Sequence, residues 1–355
     1  MLIYYMLLLY IMIVSAMYQI CVSGSSRLRY HKSVYFWFVF IPVWLIMGLR
    51  YGVGKDYFSY KNIFEEIGNG VTFSYIERGY VVLNRLINRL THKSAYLFLT
   101  TSFMIVFFFM KTIWKYSRSV VLSSVLFITL GYYFNAMNAV RQFMAISISF
   151  YAIQYINKKD WFKFLTAILI ASTFHTSALI LLVSYIAIIF LKDKTFYILS
   201  TAAFLLVRIM DMVLLKVISG NFWMNKFAMN NVTESRLSFP NLILGFTIFV
   251  AGHLVLKKKK MGREIVTYMK YNWIALLCFL FLNNWGTACT RIAFYYTPVY
   301  LLLIPEIIVS IKGISNRLIV QMTVVVICGF YLVNMLTHSV MTGNNFIPYM
   351  TVFSE

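Results

Sequence analysis

Four groups of polar residues interrupt a chain that is otherwise strongly apolar, and their types could do chemistry. Asn138, Arg141 and Gln142 stand at i, i+3 and i+4, which places them on one face of a helix. A guanidinium inside an apolar segment needs an anionic partner, either an Asp or Glu of the protein or a phosphate of a lipid-linked ligand. His175 stands in Phe174-His175-Thr176, and the residue type histidine, with its unperturbed value near neutrality, suits a general base. The bland alternative is a packing histidine hydrogen-bonded within a helix turn. Arg50-Tyr51-Gly52-Val53-Gly54-Lys55-Asp56 combines two glycines with Arg50, Lys55 and Asp56 at the end of an apolar run. It reads as a tight turn or close backbone approach, or simply as a basic turn beside a membrane. It is a weak phosphate loop, because no Walker lysine-serine follows. Arg291 heads a further apolar segment after Asn283-Asn284-Trp285-Gly286, placed either for function or to snorkel to headgroups.

Other chemistries have no signature here. There is no DxD or HExxH pattern, no Walker motif and no His/Cys ligand set, so neither a metal nor a cofactor is expected. Cys21, Cys278, Cys289 and Cys328 show no CxxC spacing.

The elements that must carry these groups are membrane helices. Hydrophobic residues make up 61% of the 355 residues and charged residues 12%, with a mean hydropathy of +0.76. A soluble domain carries about twice that share of charge. The sequence predicts an all-α polytopic membrane protein with about twelve spans, near 1–20, 34–49, 95–113, 119–136, 139–156, 161–174, 176–191, 195–212, 240–256, 269–285, 292–311 and 318–337. Met1 to Ile20 lacks a basic start and an A-x-A-like end, so it reads as a span. Interruptions at Asn135, Asn138 and Arg141, and at Thr173, His175 and Thr176, leave either paired short spans or longer tilted or re-entrant elements, and lower the count to ten.

The net charge of +21 sits in small groups between spans, which argues for topology and anionic lipid rather than nucleic acid. Short loops holding Lys111, Lys115 and Arg118, Lys158 and Lys159, and the run Lys257 to Lys260 with Arg263 and Lys270 are placed in the cytoplasm by the positive-inside rule. Both termini and the two longest loops, about 50–94 and 211–240, then face outward. All four polar groups fall on that outer side. Within the first loop, Leu83, Leu86, Ile87 and Leu90 suggest a helix lying on the membrane.

Arg50-x-Gly-x-Gly-x-Asp56-Tyr57-x-x-Tyr60, then Glu77-x-Gly79-Tyr80-x-x-Leu83-Asn84, then Asn138-x-x-Arg141-Gln142, then Phe174-His175-Thr176-Ser177-Ala178 resemble the EpsG-like family of bacterial membrane proteins, grouped with the Wzy polysaccharide polymerases. The resemblance runs from about residue 45 to 185 and more loosely through Arg291. It implies a single integral membrane domain over 1–355 of GT-C-like glycosyltransferase architecture, multi-pass in the inner membrane with its site toward the periplasm. It implies transfer of a glycan from undecaprenyl diphosphate to a second lipid-linked repeat unit, without metal or cofactor. The implied partners are those two lipid-linked glycans, membrane lipid and a chain-length regulator protein, with no nucleic acid.

In that chemistry, Arg141, Arg291 and Arg50 are candidates to hold the diphosphate, and His175, Asp56 or Glu77 to take the acceptor's proton. Of these, His175, Arg141, Arg291 and Asp56 are assigned to catalysis. Arg50, Tyr57, Tyr60, Glu77, Tyr80, Asn138 and Gln142 are assigned to substrate binding. An outer-face ligase shares the donor chemistry. A flippase is the alternative of another class, and it predicts internal repeats and polar residues at the midplane.

Overall fold

A computed structural model describes residues 1–24, 32–218, 239–256 and 262–353. The run Lys257 to Lys260 and most of the 211–240 loop lie outside the described residues. Among the described residues the fold is all-helical apart from one two-residue antiparallel pair, β1 (Arg50–Tyr51) with β2 (Met350–Thr351). The chain forms two compact units, Met1–Ala152 with Leu165–Ala178 and Ile311–Glu355, and Ile153–Phe164 with Leu179–Ser310.

The first unit contains α1 (Leu2–Gly24), α2 (Lys32–Gly48), α3 (Tyr57–Gly68), α4 (Arg78–Leu90), α5 (Ala95–Tyr116), α6 (Val120–Thr129) and α7 (Tyr132–Asn138). It also takes in most of α8 (Val140–Asn157) and α9 (Trp161–Ser172), and the helix Ile314–Thr337. Helix α5 packs along α2, and α1 packs on both α2 and α6. Phe36, Phe40 and Trp44 recur every fourth residue on α2 and meet Phe103 and Phe107 of α5 edge-on. The crossing is close at Gly48, where an added Cβ would stand 3.0 Å from Leu99 Cα. Small residues at membrane helix crossings permit this approach, since contact area must replace the missing hydrophobic drive.

Helix α4 is inverted relative to a soluble amphipathic helix. Its buried face carries Asn84 and Asn88, while Val82, Leu86 and Leu90 are exposed beside Arg85 and Arg89. Asn88 Nδ2 donates to Phe64 O at 3.0 Å, tying α4 to α3. Of the four apolar residues named from sequence, Ile87 is therefore turned inward and Leu86 and Leu90 outward.

The second unit is organised around the helix Arg263–Phe281, which packs on Asp193–Ile218 and Phe239–Leu256. Lys270, assigned by sequence to a basic loop, lies inside this helix and is buried. Its Nζ meets Asp193 Oδ1 at 3.0 Å and donates to the carbonyls of Ile188 and Leu191 at 3.3 and 3.2 Å. A buried ammonium requires such partners.

The structure shows part of the span count expected from sequence. Among the described residues, Ala95–Tyr116 and Ile314–Thr337 are long and apolar enough to cross a membrane. Two bent pairs, Val120–Thr129 with Tyr132–Asn138 at 45° and Thr287–Ala293 with Thr297–Ser310 at 49°, bring this to four if each is one span. Several other apolar helices are shorter, such as Trp161–Ser172 and Thr176–Phe190. At 1.5 Å per residue they fall short of a hydrocarbon core of about 30 Å. Hydropathy registers the apolar run, while the breaks come from backbone chemistry that hydropathy does not see. Gly131, at φ +82, ends one segment, and Ser172 to Thr176 turn another, so residues 161–191 are two short elements meeting at a turn.

The same breaks correct the expected single polar face. Asn138 closes α7, Ala139 caps it, and Arg141 and Gln142 sit in the first turn of α8. The three side chains do not share one helix.

Candidate active site

Glu77, Arg141 and His175 come together within the first unit. Glu77 immediately precedes α4, Arg141 opens α8, and His175 lies in the turn between α9 and the 3-10 segment Thr176–Leu179. His175 Nδ1 lies 2.8 Å from Glu77 Oε1, which also accepts from the Thr176 backbone N–H at 3.4 Å. The second carboxylate oxygen, Oε2, pairs with Arg141 Nη1. Burial pushes the Glu77 carboxyl up, but the hydrogen bond from His175, that from its own backbone, and the charges of Arg141 and His175 outweigh it and hold Glu77 below the ordinary carboxylate value. An ionised Glu77 makes Nδ1 the donor, so Nε2 carries the lone pair. Nε2 has no hydrogen-bond partner among the described residues.

The contact depends on a glycine. Gly79 N donates to Thr173 O at 2.9 Å, which clips the start of α4 to the turn bearing His175. A Cβ at Gly79 would stand 2.3 Å from Thr173 Oγ1 and 2.7 Å from Thr173 O. The hydroxyl can rotate away; the carbonyl cannot. Gly79→Ala is therefore expected to separate Glu77 from His175, lowering stability by about 1–3 kcal/mol. Melting of the purified protein checks this, and Thr173→Ala, which keeps the carbonyl, should not rescue it.

Tyr60 and Tyr80 enclose the arginine. The Arg141 guanidinium carbon lies 6.0 Å from the centre of the Tyr80 ring. Burial raises the Tyr60 hydroxyl above its ordinary pKa against the opposing pull of Arg141, so it remains a donor. Arg141 Nε is buried without a hydrogen-bond partner, a donor turned to no protein acceptor.

Beside this cluster opens a cleft of ≈ 590 Å³, lined by Arg141, Tyr60 and a face of α3. Asp56, at the N-cap of α3, is on its lining. Among the described residues no group of three metal-ligating side chains assembles.

Other residues singled out from sequence are used elsewhere. Arg50 is 1% exposed, and its guanidinium donates to the carbonyls of Met47, Val53 and Met137 and lies 4.9 Å from the Phe98 ring centre. It braces the turn that carries Asp56. Tyr57 is buried and stacks on Phe98 at 4.3 Å. Asn138 accepts from Lys55 N at 2.8 Å and donates to Asn344 Oδ1 at 2.9 Å. Gln142 is buried. Arg291 belongs to the second unit, in the last turn of the short helix Thr287–Ala293, and is exposed.

Sequence reasoning missed the C-terminal brace. Asn345 O accepts from Gly54 N at 3.0 Å, Tyr349 Oη donates to Ile46 O at 2.9 Å, and β2 pairs with Arg50 and Tyr51. No motif marks residues 344–351, because their role is to meet backbone groups some 300 positions earlier.

Long apolar helices define a helical membrane protein, and its ionisable groups gather at Glu77 in the first unit. The EpsG family pattern matches residues 33–351, and the chain belongs to the EpsG family. No curated protein and no solved structure gives a match.

Proposed function

We propose that this protein is a membrane glycosyltransferase that polymerises undecaprenyl-diphosphate-linked repeat units of a surface polysaccharide at the outer face of the cytoplasmic membrane. In this reading the shorter apolar helices complete further crossings, up to about twelve, in a GT-C-like arrangement. The observation that carries the reading is the Arg141–Glu77–His175 array, with His175 Nε2 left open and Arg141 on the lining of a polar cleft.

The reaction follows from these groups. The acceptor hydroxyl gives its proton to His175 Nε2, and its oxygen attacks the anomeric carbon of the donor glycan. The bond from that carbon to the diphosphate oxygen breaks, and its electron pair leaves on undecaprenyl diphosphate. Glu77 stabilises the imidazolium that forms and holds the ring in the required tautomer. The unpartnered Arg141 Nε–H, with the guanidinium charge, meets the charge building on the leaving group. The group needs no activation by a nucleotide, which suits the outer face of a cell membrane.

A gene deletion examined by gel electrophoresis of surface polysaccharide tests the reading. Loss of the ladder with one repeat unit retained is the expected result. Complete loss of surface glycan would instead favour a flippase or ligase.

A further inference from the structure

We infer that the cleft beside Arg141 is a sugar subsite selective for neutral or N-acetylated hexoses over hexuronates. This rests on the reading of the chain as acting on glycans and names the chemical class that the site accepts. Two stretches besides Arg141 build the cleft. Ser59, Asn62, Ile63 and Glu66 stand at i, i+3, i+4 and i+7 of α3, so one helical face lines it, extended by Asp56 at the N-cap. The connection between α3 and α4 adds Phe73 and Tyr75, whose rings meet edge-to-face with centroids 5.5 Å apart.

Tyr75 is 70% exposed, far more than a ring held for packing. A hexose presents an apolar C–H face and a rim of hydroxyls. An exposed aromatic ring takes the first, while carboxylates and amides take the second as paired acceptors and donors. The volume is within the range of small-ligand sites.

Charge sets the selectivity. Glu66, an exposed carboxylate of α3, lines the cleft, and its one lining cation, Arg141, is already paired with Glu77. Hydroxyl groups donate readily to such an acceptor. A hexuronate carboxylate would face this like charge, and juxtaposed like charges are how sites turn partners away. The cleft is therefore matched to the uncharged end of a repeat unit.

Saturation-transfer NMR on the full chain in detergent tests this with the methyl glycosides of glucose, N-acetylglucosamine and glucuronic acid. Saturation is expected to reach the ring protons of the first two, with glucuronide binding roughly tenfold weaker. Tyr75→Ala and Asn62→Ala, both changes of exposed side chains, should abolish the transfer, and Glu66→Gln should narrow the gap to the glucuronide. His175→Ala should leave binding intact, so the subsite is judged separately from turnover. Equal binding of the glucuronide, transfer that survives Tyr75→Ala, or no transfer from any glycoside would overturn the proposal, whatever the polysaccharide ladder shows.

Discussion

Replacing His175 by alanine or by glutamine is expected to lower turnover by roughly 10²–10⁴, with the lipid-linked donor still bound. Glutamine is the informative change. It can still donate to Glu77 Oε1, so it preserves the contact that joins the α9 turn to the start of α4. It cannot accept a proton at the position of Nε2. A histidine that only holds the turn would tolerate glutamine well. Rates measured with purified enzyme and isolated lipid-linked repeat units separate the two roles. Near-normal polymerisation by His175→Gln would transfer the base assignment to Asp56, a carboxylate on the cleft lining. Glu77 is the poorer substitute, because its two oxygens are engaged by His175 and Arg141 and its affinity for a proton is reduced.

The second large effect is expected at Arg141. Arg141→Lys should impair turnover nearly as much as Arg141→Ala, roughly 10²–10³, the cost of removing a donor aimed at developing charge. One ammonium cannot both pair with Glu77 and present a second N–H to a phosphate oxygen, whereas the planar guanidinium does both. Expression should stay near normal, since the side chain is partly exposed. The Glu77 contact complicates a single substitution, and a double-mutant cycle resolves it. If Arg141 acts only by orienting Glu77, then Arg141→Ala adds nothing in a Glu77→Gln background. A further loss of rate in that background is the expected result. Full-length polymer from Arg141→Gln would reduce Arg141 to a structural partner.

Much of the candidate site was legible as residue types. Arg141 was marked by charge within an apolar run, and His175 by its place in a polar break. Which anion meets Arg141 was not legible, because Glu77 is 64 positions away and a Glu beside an arginine and a glycine has many uses. Arg50 shows the converse. It carries as strong a sequence signal as Arg141, yet three main-chain carbonyls take up its guanidinium. Charge in an apolar chain reveals that a partner is required, and the same signal arises whether the partner is backbone, side chain or ligand.

Composition and hydropathy by themselves determined that this is a helical membrane protein, since backbone polar groups in lipid must be satisfied within helices when apolar runs are this long. The ordered motifs determined the family. Only the tertiary structure decided where helices end, because one left-handed glycine or one turn at His175 divides a run that hydropathy reads as continuous. It also decided that Glu77 bridges His175 and Arg141, through the Gly79–Thr173 approach that admits no side chain. Pairing at that range is set by how distant segments pack, and the local sequence of each segment holds no record of the other.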